Sequence, residues 1–230
     1  STTVVSAAGV EQWFDASSRA MALGPDGELA VFRSDSTNTA VRTGMSSDLW
    51  LRWRSRGVLK RVEIAAGVTN SVQSTLSVAL AMNGRGLVSR MNGVSGAIWW
   101  IDVDTGVPTV ISGNLLNRSS VRVDSVGVVT DLLPPDAPAL SITEDGKTVA
   151  FLGIPPGTTE VRAYLWSVDG GLREFAAVGA PTRLQGLELS RDGARLAFLT
   201  PEAVPQAGVG TPGSARWYVR ELATGSTWTL

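Results

Sequence analysis

A two-hairpin unit repeated four times, glycine and proline at close intervals, and no sustained helical periodicity together predict an all-β chain. The expected fold is a β-propeller built of four-stranded antiparallel blades, with four blades visible, either as a complete four-bladed ring or as part of a larger propeller. A β-sandwich also has many short strands, but the recurrent Asp-Gly and Thr-Gly turns favour the propeller.

The first hairpin of each unit reads RAMALGPDGELAVFRS, LSVALAMNGRGLVSRM, ALSITEDGKTVAFLGI and GLELSRDGARLAFLTP. At its tip stand Asp26-Gly27, Asn83-Gly84, Asp145-Gly146 and Asp192-Gly193. These pairs suit a turn that needs positive φ, because glycine has no Cβ to clash and Asn or Asp tolerates the left-handed region. They are read as structural turns.

The second hairpin reads DLWLRWRSRG, AIWWIDVDTG, RAYLWSVDGG and RWYVRELATG, and seven residues before each closing glycine stands an aromatic: Trp50, Trp99, Tyr164 and Tyr218. The segments that follow, VLKRVEI, VPTVIS, LREFAAV and STWTL, are short and partly β-branched or aromatic, as a fourth strand should be. The interval between the two glycines changes from unit to unit (Gly27 to Gly57, Gly84 to Gly106, Gly146 to Gly171, Gly193 to Gly225), so the length differences fall in the middle loop. Variable loops on a constant frame are where binding specificity normally sits.

The expected organisation is blade 1 over residues 17–66, blade 2 over 67–112, blade 3 over 139–180 and blade 4 over 181–230. Residues 1–16 are read as an N-terminal strand or ring-closing segment. Residues 113–138 are read as an elaborated connection with an extra hairpin around Val121 to Leu132.

SRDGARLAFLTP and TEDGKTVAFLGI resemble the TolB-like propeller repeat, whose core runs S-x-D-G-x-x-x-A-F followed by a strand and a D-x-x-T-G turn. The last unit fits best, with Ser190, Asp192, Gly193, Ala197 and Phe198 and then Ala223-Thr224-Gly225; the second departs, with Asn83 for Asp and Ser89-Arg90 for Ala-Phe. The resemblance covers most of residues 17–230. It implies a bacterial, often exported protein, hence a periplasmic or extracellular location, and a fold shared by proteins that bind partners and by the propeller domains of some peptidases.

Charge and composition narrow the function. Twenty Lys plus Arg stand against 21 Asp plus Glu, so there is no general attraction to nucleic acid. No run approaches the ~18 apolar residues of a transmembrane helix. With no histidine and no cysteine, a Ser-His-Asp triad, a His-ligated zinc and a thiolate nucleophile are excluded within this chain. No catalytic residue, and no cofactor, is expected.

Asp26, Asp145 and Asp192 are available for two-carboxylate glycoside chemistry, but each sits in a repeated turn where its side chain can bond the backbone, which points to structure. A calcium site has weak candidates in Asp35, Asn38 and Asp48, with Asp102 and Asp104 near the second turn; they lack the dense alternation of a calcium loop, so solvated loop acids are the plainer reading.

Six tryptophans (Trp50, Trp53, Trp99, Trp100, Trp166, Trp217) fall in the third strands, where packing between blades is the first expectation. Any exposed member, Trp53 or Trp100, would anchor a partner. Arg52, Arg54 and Arg56 alternate with Leu51, Trp53 and Ser55, a solvated outer face or a basic stripe for an acidic partner. The expectation is a noncatalytic binding or scaffolding propeller with a protein partner. The alternative is an accessory propeller that gates or orients substrate for a hydrolase; a carbohydrate-binding propeller would need exposed aromatics beside converging carboxylates.

Overall fold

The computed structural model describes residues 3–5, 11–13, 18–34, 48–62, 75–91, 98–113, 115–117, 122–123, 129–130, 140–156, 158, 160–175, 184–202, 204 and 215–230. Among them every regular element is a strand. β1 (Thr3–Val5) and β2 (Glu11–Trp13) pair with each other as a separate hairpin.

Four antiparallel sheets follow. Blade 1 is β3 (Ser18–Leu23), β4 (Leu29–Ser34), β5 (Asp48–Trp53) and β6 (Val58–Arg61); blade 2 is β7 (Thr75–Leu80), β8 (Gly86–Met91), β9 (Ile98–Asp102) and β10 (Pro108–Val110). Next come β11 (Leu116–Asn117), β12 (Arg122–Val123) and β13 (Val129–Thr130). Blade 3 is β14 (Leu140–Ile142), β15 (Thr148–Ile154), β16 (Arg162–Ser167) and β17 (Gly171–Glu174); blade 4 is β18 (Gly186–Leu189), β19 (Arg195–Thr200), β20 (Arg216–Glu221) and β21 (Thr227–Thr229). Each blade is an up-and-down meander, its strands hydrogen-bonded in chain order.

β12 and β13 form the extra hairpin expected between blades 2 and 3. β11 does something the sequence did not announce. It pairs with the far end of β15, Leu116 opposite Ile154, and so extends the edge on which β14 pairs with the near end.

The Asp-Gly tips fold as read. Gly27, Gly84, Gly146 and Gly193 have φ of 69, 70, 74 and 72°. In each turn the preceding Asp or Asn Oδ1 accepts the amide two residues on: Glu28, Arg85, Lys147 and Ala194, at 2.9, 2.8, 3.0 and 3.0 Å. The side chain thus supplies the acceptor that the reversed backbone lacks.

The third-strand aromatics are all buried, and they mark which face looks where. Tyr164 lies opposite Phe151 and Tyr218 opposite Phe198, with ring centroids 5.8 and 5.7 Å apart. Because side chains alternate across a strand, the residues flanking each aromatic face the following blade. Leu49, Leu51 and Trp53 of blade 1 meet Leu87, Trp99 and Ile101 of blade 2 in one core. Ile98 and Trp100 of blade 2 meet Val149, Phe151 and Tyr164 of blade 3 in the next. Ala150, Leu152, Ala163 and Leu165 of blade 3 meet Leu187, Leu196, Phe198 and Tyr218 of blade 4 in the third. The apolar content is therefore spent between sheets, and successive inner strands β3, β7, β14 and β18 are neighbours. In blade 2 the register places Ser89 opposite Trp99, so the pair departing from Ala-Phe is Val88-Ser89, one residue earlier than the motif alignment gave.

Candidate interaction surface

An up-and-down blade separates its connections into two ends. At one end lie the first-to-second and third-to-fourth strand turns, short in every blade; at the other lie the second-to-third strand connections and the crossovers between blades.

The turn end is uniform and bonded to itself. Asn83 donates through its amide N to Glu144 O (3.1 Å) and through Nδ2 to Asp145 O (2.8 Å), while Glu144 N donates to Arg191 O (2.8 Å). Trp100 Nε1 donates to Gly146 O at 2.9 Å, and its ring centroid lies 5.5 Å from that of Trp166. Lys60 Nζ donates to Thr105 O, which ties the outer strand of blade 1 to blade 2. The first-hairpin turns of blades 2, 3 and 4 are therefore rivets between blades as well as reversals within them, whereas among the described residues that of blade 1 bonds only within its own blade.

The acids proposed for chemistry at this end are occupied. Asp145 Oδ1 accepts the Thr143 hydroxyl at 2.6 Å, and Asp192 Oδ1 accepts the Ser190 hydroxyl at 2.6 Å. These hydroxyl donors, followed by the Lys147 and Ala194 amides, hold both carboxyls below the usual aspartate range. Asp26 caps its own turn, and Asp102 accepts Thr105 N (2.7 Å) and Oγ1 (2.9 Å). Each of these carboxylates is thus directed at its own turn.

The calcium candidates are not assembled by the described residues. Asp48 begins β5 opposite Ser34, whereas Asp35 and Asn38 lie outside the described residues. Among the described residues no three acidic groups are grouped to hold a metal ion.

The partner-binding candidates separate. Trp53 is 8% exposed in the core between blades 1 and 2, so it is a packing residue, not a surface anchor. Trp100 is half-buried, and its indole N–H is engaged by blade 3. The arginines do not form a strand-face stripe: β5 ends at Trp53, Arg52 is half-buried within it, and exposed Arg54 and Arg56 lie in the turn closed by Gly57, whose φ is 61°. A left-handed glycine ends the alternation on which the stripe depended.

At the opposite end the connections run over residues 35–47, 92–97, 155–161 and 201–215. The strands that launch them are fixed from below: Ser34 and Thr200, at equivalent ends of β4 and β19, are buried. Arg162, at the start of β16, pairs with Glu160 and with Glu174 on β17 (2.9 Å), joining one connection to the outer strand. Glu160 is a chain neighbour of Arg162, but sequence reasoning missed the triad because Glu174 comes beside them only through the pairing of β16 with β17. Strand ends of one geometry thus carry connections of different length, most of whose residues lie outside the described ones.

These features define a β-propeller fold. No family model and no curated protein matches the chain. Among solved structures it is similar to TolB from Acinetobacter baumannii (14% identity over 94% of this chain and 43% of that one, TM-score 0.52). It is also similar to the tricorn protease (16%, 95% and 19%, TM-score 0.56) and to oligogalacturonate lyase from Vibrio parahaemolyticus (11%, 98% and 57%, TM-score 0.56). The fold is thus the TolB-like β-propeller, and the chain spans less than three fifths of the length of each of these structures. Among the described residues no helix is long and apolar enough to cross a membrane.

Proposed function

We propose that this chain is a noncatalytic binding or scaffolding propeller that presents its second-to-third strand connections to a protein partner, in an exported assembly and without a bound cofactor. The observation that carries the reading is the contrast between the two ends: short turns, bonded to one another across blades 2, 3 and 4, at one, and connections of unequal length at the other. A rigid frame with variable loops supplies shape and specificity; it does not by itself supply chemistry.

The test is replacement of residues 35–47 and 201–215 by short Gly-Ser linkers in the protein made from its natural reading frame. Loss of a stoichiometric co-purifying protein, with the thermal transition kept, supports the reading. Unchanged association, or substrate turnover by the purified chain, defeats it.

A second reading, an accessory propeller of a hydrolase, is favoured by the likeness to the tricorn protease, of which this chain covers 19%. Under that reading the natural polypeptide carries a hydrolase domain, and the loop replacements change substrate selection in place of partner retention.

A further inference from the structure

Of the four first-hairpin tips, three carry Asp before the glycine and one carries Asn: Asp26, Asp145 and Asp192 against Asn83. The turn itself does not choose between them. In all four the Oδ1 atom accepts the amide two residues on, at 2.8–3.0 Å.

What Asn83 adds is a donor. Its Nδ2 donates to Asp145 O across the blade 2–3 boundary at 2.8 Å, beside the bond from its own amide N to Glu144 O at 3.1 Å. Among the described residues no other tip residue hydrogen-bonds outside its own hairpin through its side chain. The two side-chain contacts fix the orientation of the amide, since a backbone N–H can be met only by Oδ1 and a carbonyl only by Nδ2. In the same patch Trp100 Nε1 donates to Gly146 O at 2.9 Å.

Aspartate in place of Asn83 would therefore keep the turn and lose the clamp. One carboxylate oxygen would still accept Arg85 N, but the other would face Asp145 O, an acceptor against an acceptor.

Asn-Gly is also the pair in which that conversion proceeds without an enzyme. The glycine amide nitrogen, unhindered by a side chain, loses its proton and attacks the Asn Cγ; the side-chain nitrogen leaves as ammonia and a cyclic succinimide forms. Water then opens the ring at either carbonyl, giving aspartate or its β-linked isomer, so water is taken up and ammonia released.

The clamp holds every group this reaction needs. Gly84 N donates to Ala81 O at 2.9 Å, Oδ1 accepts Arg85 N, and Nδ2, the leaving group, donates to Asp145 O. The space beside Gly84 is open, since a Cβ there would meet nothing within 4 Å, so a ring has room once those bonds part. Reaction therefore waits on local opening of the turn and of the blade 2–3 contact.

We infer that Asn83-Gly84 is a deamidation site that releases the blade 2–3 clamp irreversibly. While the clamp is closed Asn83 is protected; once it opens and Asn83 becomes aspartate or isoaspartate, the bond to Asp145 O cannot re-form. The isoaspartate product, with a methylene added to the backbone, loses the turn as well. Asp26, Asp145 and Asp192 have no side-chain amide to lose, so among the four tips the release belongs to blade 2 alone.

The test follows the mass change of deamidation in the chain at mildly alkaline pH, folded and in urea. A second Asn-Gly, Asn92-Gly93, lies outside the described residues, and trypsin cleavage at Arg85 and Arg90 puts the two pairs on separate peptides. Asn83 should react at least about tenfold slower folded than in urea, and Trp100→Phe, which loosens the same contact, should speed the folded reaction about fivefold. Equal rates in the folded and unfolded chain, or a folded rate that Trp100→Phe leaves unchanged, overturn the protection. The consequence is read by hydrogen exchange in Asn83→Asp, which supplies the product directly. Exchange should quicken about fivefold or more over residues 81–86 and 144–146 and stay unchanged over residues 24–29 of the blade 1 turn. Unchanged exchange at residues 81–86 and 144–146 overturns the release, and so does an equal rise at residues 24–29, which would mark general destabilisation.

Discussion

The turns of blade 1 and blade 3 have the same backbone and do different jobs. Gly27 and Gly146 share φ near 70°, and each follows an aspartate that caps the turn. Around Gly27 a Cβ would meet nothing within 4 Å, whereas at Gly146 it would stand 2.9 Å from Gly86 N and 3.2 Å from Ala81 Cβ, with Trp100 bonded to the Gly146 carbonyl. The repeat motif encodes the reversal; whether that reversal also clamps a neighbouring blade depends on what the neighbour places against it.

The largest effect should come from adding the methyl group at each site. Gly27→Ala meets only the left-handed penalty of about 1–2 kcal/mol. Gly146→Ala meets the same penalty plus overpacking against backbone, about 1–3 kcal/mol more. Denaturant midpoints of the two variants should differ in that order; equal losses would show that the blade 2–3 contact is not tight.

Thr143→Val comes next. The hydroxyl donates to Asp145 and accepts Thr148 N at 3.0 Å from a buried position, so its loss should cost about 1–2 kcal/mol. Blade 1 has Gly24 at the equivalent place, and its turn forms without any hydroxyl. Trp100→Phe keeps an apolar ring but removes the indole donor to Gly146 O, for about 1 kcal/mol.

The smallest effect is on acid stability. Asp145 and Asp192 titrate below the ordinary value of 3.8 when folded, so the stability they contribute is present above that value and is lost as pH falls through their lower folded pKa values. Thr143→Val removes the largest cause of the Asp145 shift. The stability difference between about pH 6 and about pH 2.5 should therefore shrink in that variant; an unchanged difference would remove Asp145 from the acid response.

The fold was legible because a propeller repeats its local chemistry: Asp-Gly tips, third-strand aromatics and fourth strands recur at fixed offsets, and each folded as its residues require. What was not legible depends on which face packs where. Trp53 read as a surface candidate because alternation alone does not say that the Leu49, Leu51 and Trp53 side of β5 is covered by blade 2. The arginine stripe failed at Gly57, where a turn glycine already marked in the sequence shortens the strand. β11 was hidden because Leu116 and Asn117 have no strand pattern of their own and exist as an element only beside β15. The candidate surface was visible in outline, through the unequal glycine spacing, but the Arg162–Glu174 pair that completes the triad needed the register of β16 and β17 to be seen.

The most direct test of the central claim, that recognition belongs to the loop end and stiffness to the turn end, is site-specific photocrosslinking in the natural assembly. A photoreactive phenylalanine analogue would replace Thr158 or Glu202 at the loop end, and Arg85 or Asp104 at the turn end. The account predicts crosslinks to a second protein from the first two positions and none from the last two. Crosslinks from Arg85 or Asp104 alone would contradict it and place the partner on the turns.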